Sequence, residues 1–260
     1  MILTVPTEVS RAAMSEARKL TTLRWPWLLI ALCAMVGLLA AIVTATVGTG
    51  PQARADLATG TASLGLYVGL AVAIGAALIG AAIGAGGEYR DASMPLTALF
   101  TADRDLLFGA KLGVAAAYSL LLGLAAEFGA GLGLVAAGRH KIEFGLQLAG
   151  VLGGGLLAAV CWGLIGASLG LLLRSPVLAI VAPLGWLLII EPLIWLVAHG
   201  ADIAGVAVLF PGSATVSTIA VGSFPTNRLF APSPASAVVL IIWTLAAGAG
   251  AWWYLRQRDI

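Results

Sequence analysis

Residues 86–111 read GGEYRDASMPLTALFTADRDLLFGAK, and they form the long charged interruption in an otherwise strongly apolar chain. Hydrophobic residues make up 60% of the sequence and charged residues only 10%, whereas about a quarter of the residues of a soluble domain are charged. The apolar runs on either side of this stretch are long and uncharged, which excludes the alternating pattern of a β-barrel. The composition therefore predicts an all-α polytopic membrane protein.

Six apolar runs are long enough to cross a bilayer, since a membrane-spanning helix needs about 20 residues. They predict six transmembrane helices in a single membrane domain, residues 1–260: 26–47, 63–85, 107–137, 146–173, 177–198 and 236–255. The third and fourth runs exceed the length that a membrane requires, which indicates that these helices tilt or project into water.

The distribution of positive charge predicts the orientation, because Lys and Arg favour cytoplasmic loops. With the N-terminus inside, all but four of the 14 Lys and Arg residues fall on the cytoplasmic side; the four outside are Arg54, Arg139, Lys141 and Arg228. Both termini are therefore expected in the cytoplasm. A signal peptide is the competing interpretation of the first fifty residues, but the apolar run and its polar leader are too long for one. The net charge of +2 gives no argument for nucleic-acid binding.

Residues 1–25 are predicted to contain an amphipathic helix that lies in the membrane interface. Its apolar positions recur at helical spacing: Val9, Ala13, Ala17 and Leu20. Its polar side is marked by Glu16, Arg18, Lys19 and Arg24. The alternative is a solvated basic N-terminus that does no more than set the topology.

The central loop, residues 86–106, is predicted to form a short amphipathic helix on the cytoplasmic side. Ser93 can cap this helix, and Pro95 is tolerated in its first turn. Its apolar face consists of residues at i, i+3 and i+4: Leu96, Leu99 and Phe100. That face can dock on a protein or on lipid head groups, and the mixed sign of the flanking charges favours a protein.

The same loop resembles the segment after the second span of type-2 ABC transporter permeases, the membrane subunits of bacterial exporters. The resemblance is carried by Glu88-Tyr89-Arg90, Ala92-Ser93, Leu96, Leu99, Arg104 and Lys111. It extends over the chain through the six spans, through Leu209-Phe210-Pro211 and through the C-terminal sequence WWYLRQRD. Members of the family often have Gly-Thr where Ala92-Ser93 stands, and Pro or Ser where Asp103 stands.

The resemblance implies a coupling helix that sits in a groove of a separate ABC ATPase, present in two copies. The implied contact residues are Glu88, Tyr89, Arg90, Ser93, Leu96, Leu99, Phe100 and Arg104, with Arg174 in a second inner turn. That turn can equally be a plain polar connector. The chain has no GxxxxGK[ST] motif, so ATP and Mg²⁺ are expected on the partner and not on this chain.

The resemblance further implies a second permease subunit, either an identical copy or a paralogue, in the bacterial cytoplasmic membrane. The substrate class that it implies is amphipathic or hydrophobic: a drug, an antibiotic peptide or a lipid. Membrane lipid would surround the subunits.

Two acids within predicted spans are candidates for the transport pathway, because ionisable groups are costly in a membrane. Glu127 lies about 24 Å of helix rise beyond Lys111, and Glu191 lies about 21 Å beyond Val177, which predicts the outer half for both. Pro192 is expected to kink or end the helix after Glu191. The alternative is that both acids lie near the outer interface, where they are hydrated or ion-paired.

The segment 199–235 is too short and too rich in proline to span, so we expect one or two re-entrant helices at the outer side. Small residues four apart permit close helix approach in four pairs: Gly65 with Gly69, Gly80 with Gly84, Gly129 with Gly133, and Gly166 with Gly170.

Two other classes of function predict different sequence features. An ion-coupled secondary transporter would use Glu127 and Glu191, but it predicts paired broken helices, of which one is visible. An intramembrane enzyme would need convergent nucleophiles or metal ligands, and neither a nucleophile motif nor a metal-binding spacing is apparent.

Overall fold

Six helices are long and apolar enough to cross a bilayer, which confirms the predicted all-α polytopic fold. The computed structural model describes residues 7–47, 64–94, 103–138, 145–201, 204–221 and 231–257, and within these ranges it contains helices and no strand. The helices are α1 (Thr7–Thr22), α2 (Trp25–Val47), α3 (Leu64–Arg90), α4 (Arg104–Gly138), α5 (Leu146–Leu173), α6 (Pro176–Gly185), α7 (Glu191–Gly200), α8 (Pro211–Ile219) and α9 (Ser233–Gln257).

The centre of the bundle is formed by α3 and α5, the two most buried spans. Helix α3 packs against α2, α4 and α5, while α5 also contacts α8 and α9. The remaining spans expose long apolar side chains outward, for example Leu28 and Met35 on α2 and Leu188 and Leu196 in the fifth span. These outer faces have the composition of surfaces that contact lipid.

Glycine residues determine how closely the central helices approach one another. A Cβ placed on Gly129 or Gly133 of α4 would clash with a carbonyl oxygen of α2, and one placed on Gly166 would clash with the Leu78 carbonyl of α3. Gly65 of α3 meets the α2 backbone in the same way, and Gly170 of α5 meets that of α3. Of the four predicted glycine pairs, three therefore lie at backbone contacts between helices of this chain.

The loop between the second and third spans is shorter than the predicted 86–106. Helix α3 continues to Arg90, and its Gly86 packs against the backbone of Pro176, which a Cβ would approach to 2.9 Å. Helix α4 already begins at Arg104, since the Asp103 Oδ1 accepts the Asp105 amide at 2.9 Å and thereby caps the helix. The connection is thus residues 91–103.

The fifth span contains an irregularity at the predicted position, but the helix does not end there. Residues Trp186–Ile190 form a π-helical turn, and the Glu191 amide donates to the Trp186 carbonyl. Pro192 has no amide hydrogen, and its ring would crowd the carbonyl four residues earlier in a regular helix. The wider turn relieves this crowding, so the chain continues as α7.

Between α7 and α9 the described residues include two short helices, as expected: a 3-10 helix, Ala204–Leu209, and α8. Phe210 lies between them in extended conformation, and Pro211 occupies the first turn of α8. The Trp243 indole of α9 donates to the Leu209 carbonyl at 2.9 Å, which ties the segment to the last span.

Helix α1 was predicted with Glu16 on its polar side, and this assignment is wrong. The buried residues of α1 are Ala12 and Glu16, and they face the bundle, where α1 contacts α4. Glu16 is buried because it forms an ion pair with Lys111, described below. Val9, expected on the apolar side, is 39% exposed.

Gly129→Ala is expected to destabilise the fold, because the new methyl group must displace the Ala34 carbonyl of α2. Overpacking of this kind costs about 1–3 kcal/mol. The matched control is Gly131→Ala, two residues along the same helix, where a Cβ meets no atom within 4 Å. Thermal unfolding of the purified protein should show a lower midpoint for Gly129→Ala alone, and equal midpoints would contradict the packing described here.

Candidate functional site

Most of the described residues predicted to contact an ATPase lie together at one end of the bundle. The last turn of α3 supplies Glu88, Tyr89 and Arg90, the start of α4 supplies Arg104, and the turn between α5 and α6 supplies Arg174. The predicted apolar face, Leu96, Leu99 and Phe100, lies outside the described residues.

The end of α3 turns sharply into the loop. Ala92 has a left-handed backbone with φ of 51°, and the Ser93 amide donates to the Glu88 carbonyl at 2.9 Å. This hydrogen bond closes a Schellman-type helix end, in which glycine normally occupies the left-handed position. Ala92 therefore stands at a position whose backbone conformation favours Gly. Met94, two residues later, is buried in an apolar cluster that includes Leu107 of α4 and Leu255 of α9.

A buried network of four charges lies beside this turn. The Lys111 Nζ is 2.7 Å from the Glu88 Oε1 and 3.0 Å from the Glu16 Oε2. The Lys19 Nζ is 2.7 Å from the same Glu88 oxygen and 2.6 Å from the Glu16 Oε1. Two carboxylates and two ammonium groups thus alternate, and the network joins α1, α3 and α4.

Lys111 is the most deeply buried member of the network, since its side chain is only 3% exposed. Lys19 is more accessible at 39%. Burial lowers the pKa of Lys19, but hydrogen bonds and charges from Glu16 and Glu88 outweigh it and raise the pKa above its ordinary value. Lys19 therefore stays an ammonium group at neutral pH.

Sequence reasoning missed this network, since it interpreted Lys19 and Lys111 as topology charges and Glu16 as part of a solvated face. The local signal is the spacing of Glu16 and Lys19, which places both on one face of α1. Their partners are 69 and 95 residues away along the chain. No pattern in a single sequence pairs residues so distant.

Arg174 binds aromatic rings at the same end of the bundle. It has a left-handed backbone at the end of α5, and its guanidinium carbon lies 5.3 Å from the Tyr89 ring centre and 5.6 Å from that of Tyr254. Cation–π contacts of this length are attractive. Arg174 thus connects α3, the α5–α6 turn and the end of α9.

The start of α4 is tied to the end of α9. The Arg104 guanidinium donates to the Leu255 carbonyl at 3.0 Å, where the helix leaves carbonyl groups unpaired. Asp105 accepts from the Trp252 indole at 2.9 Å and forms an ion pair with Arg256. Arg104 is therefore held against the protein rather than extended into solvent, whereas Arg90 is 68% exposed and pairs with its neighbour Asp91 at 3.2 Å.

Glu191 is fully buried and caps the short helix α8. Its Oε2 accepts the Gly212 amide at 2.9 Å, and its Oε1 accepts the Ser213 amide at 2.6 Å. A carboxylate at a helix N-terminus also interacts favourably with the helix dipole. Any Cβ on Gly212 would come within 2.6 Å of the carboxylate, so the close approach requires glycine.

Glu127 has a different environment. It lies on α4 and is partly buried, and its Oε1 has no hydrogen-bond partner among the described residues. The structure therefore does not join the two candidate pathway acids into one site: Glu191 is engaged by α8, and no hydrogen bond to Glu127 is present in the described ranges. The basic residues that were expected near the outer interface, Arg139, Lys141 and Arg228, lie outside those ranges.

No cluster of metal-ligand type occurs in the described parts of the chain, where no three His, Cys, Asp or Glu side chains come together. Cys33 and Cys161 are both buried free thiols.

Comparison of the sequence with protein-family models found no match, and comparison with curated proteins found none.

Lys111→Met is expected to destabilise the protein by about 3–5 kcal/mol, because it leaves two buried carboxylates with one shared cation. Arg90→Met is the matched control, since it breaks an exposed pair worth about 0–1 kcal/mol. Thermal unfolding of both variants is the measurement. If Lys111→Met unfolded at the same temperature as Arg90→Met, the network would contribute nothing to the fold.

Glu191→Gln is expected to destabilise the protein, because an amide NH₂ then faces a backbone N–H of α8 and one charge-assisted hydrogen bond is lost. Such bonds contribute about 1.5–3 kcal/mol. Glu127→Gln makes the same chemical change where no hydrogen bond is present in the described residues, and it should leave the unfolding temperature unchanged or higher. If Glu127→Gln lowered the unfolding temperature more than Glu191→Gln does, the capping role of Glu191 would be refuted.

Proposed function

We propose that this chain is the membrane-spanning subunit of an ATP-driven exporter of the type-2 ABC permease class. In this proposal residues 91–103 contact a separate ATPase, which binds ATP and Mg²⁺ and is present in two copies. A second permease subunit, identical or paralogous, completes the transporter in the bacterial cytoplasmic membrane, with both termini in the cytoplasm. The transported substrate is an amphipathic or hydrophobic molecule, such as a drug, an antibiotic peptide or a lipid, and the chain itself is not an enzyme.

The observation that carries the proposal is the anchoring of the 91–103 loop at both of its ends. Glu88, three residues before the loop, and Lys111, eight residues after it, belong to one ion network. Arg104 at its end is bonded to α9. A force applied to the loop would therefore reach α1, α3, α4 and α9 together, as expected of a surface through which a second protein moves the bundle.

The proposal predicts that a Walker-motif ATPase copurifies with the chain from its native membranes. ATP hydrolysis by that partner in proteoliposomes should depend on the permease. Replacing Leu96, Leu99 and Phe100 by Asp should abolish both association and stimulated hydrolysis, while a control that keeps the face apolar, Leu96→Met with Leu99→Met and Phe100→Leu, should retain both.

Two outcomes would argue against the exporter. The Asp variant could bind and stimulate the ATPase normally, which would remove the loop from the contact. Alternatively, no ATPase would copurify, and transport would follow an ion gradient instead.

An ion-coupled secondary transporter is the second candidate, and Glu127 is the residue that favours it. A partly buried carboxylate oxygen without a hydrogen-bond partner in the described residues is suited to binding a proton or a cation. Glu191 fits that role less well, because both of its oxygens already accept backbone amides. Gradient-driven uptake in vesicles that Glu127→Gln abolishes would support this candidate.

A further inference from the structure

A cavity of about 390 Å³ lies between α1, α3 and α4, beside the ion network. This volume falls in the range of small-molecule sites, about 300–1,000 Å³. The lining changes character along the cavity. One end carries the four charged side chains of the network, and the other carries apolar and aromatic groups, including Leu20, Trp25, Gly80, Gly84 and Tyr118.

The two ends of the cavity are separated along α3. Gly80 and Glu88 are eight residues apart on this helix, which corresponds to about 12 Å of rise. At the apolar end the Tyr118 hydroxyl is already used, since it donates to the Pro26 carbonyl at 3.1 Å. The apolar end therefore presents ring faces and methyl groups to a ligand, and a molecule filling the cavity must be polar at one end only.

The polar end has an unused hydrogen-bond acceptor. Glu88 is only 8% exposed, and its Oε1 receives both lysines, whereas its Oε2 has no hydrogen-bond partner among the described residues. A buried acceptor without a donor costs about 1–3 kcal/mol. This oxygen has almost no exposed surface, so a ligand N–H or O–H group at this end supplies the missing donor when the carboxylate rotates Oε2 toward the cavity.

The charge balance of the lining selects between these donors. Glu16, Glu88 and Asp91 are offset by Lys19, Arg90 and Lys111, so the lining has equal numbers of negative and positive side chains. An ammonium head group would add a third cation beside Lys19 and Lys111, and a carboxylate or phosphate would compete with Glu88 for them. An uncharged hydroxyl group donates to Glu88 and leaves the balance intact.

We propose that the cavity binds an uncharged amphiphile with a hydroxyl head group, such as a long-chain alcohol or a monoacylglycerol. The hydroxyl group lies at Glu88, and the alkyl chain extends along Leu20, Trp25 and Gly84 toward Tyr118. The binding step depends on the cavity alone, whereas transport of such a molecule rests on the proposed function.

The test uses photolabelling of the purified chain in phosphatidylcholine nanodiscs, which contain no hydroxylated lipid. The probe is 1-decanol carrying a diazirine on its alkyl chain, and mass spectrometry locates the label. Peptides of α1 and α3 that include Leu20 and Gly84 should be labelled. Unlabelled 1-decanol should compete at least tenfold more effectively than 1-methoxydecane, which has a similar chain but no O–H donor, and better than decylammonium or decanoate.

Gly84→Leu should reduce the labelling at least tenfold, because a Cβ at this position meets only the tip of Leu20 at 3.9 Å and the rest of the side chain enters the cavity. Gly75→Leu is the matched control on the same helix, at a position where a Cβ meets nothing within 4 Å, and it should be labelled like the unaltered chain.

Equal competition by the ether and the alcohol would overturn the role of the hydroxyl group. Tighter competition by decylammonium would overturn the neutral head group, and normal labelling of Gly84→Leu would overturn the site. The competition between ligands is measured on the unaltered chain, so it tests the role of the hydroxyl group even if Gly84→Leu does not fold. No ATPase is needed, so a failure of this site is distinguishable from a failure of ATP coupling.

Discussion

Backbone-to-backbone contact at glycines is the constraint on which the rest of this bundle depends. Within a bilayer the hydrophobic effect does not drive helices together, because lipid is as apolar as their side chains. Helices gain instead by close contact, and here a carbonyl group occupies the space that a Cβ would need. Ala34 of α2 does so against Gly129, Leu78 of α3 against Gly166, and Thr218 of α8 against Gly154. The absence of a side chain at these glycines therefore sets the distances between the helices.

The ion network lies where α1, α3 and α4 meet. Lys111 of α4 contacts two carboxylates from the two other helices. Buried charges are tolerable only when they are paired. Room remains beside the network, since α3 presents Gly80 and Gly84 to the cavity rather than larger side chains. The network and the cavity thus share the same three helices.

The sequence was sufficient for the membrane class, the six spans and the short helices before α9, because each depends on local runs of apolar residues or on proline positions. The glycine spacing also pointed to close contacts, but it could not say which helix lies opposite, since that depends on the fold. Glu191 illustrates the limit most clearly. Its position beside Pro192 indicated an irregular helix, yet its hydrogen bonds go to amides 21 and 22 residues further on. Pro192 marks the irregular turn, but no local pattern shows that the turn aims the carboxylate at α8.

The two buried acids also bear on how the molecule can move. Glu88 lies in the last turn of α3, whereas Glu191 follows Pro176, the start of α6 at the same end of the bundle, by fifteen residues, or about 22 Å of helix rise. Each carboxylate joins segments that are distant in the chain: Glu88 joins α3 to α1 and α4, and Glu191 joins the fifth span to α8. Movement that preserved both contacts would carry α1, α3 and α4 as one unit and the fifth span with α8 as another. Helix α5 packs on both units, and Gly86 of α3 also meets the backbone of Pro176 at the start of α6. Breaking either carboxylate contact would leave a buried charge unpaired, so relative movement of the two units has to occur at these interfaces.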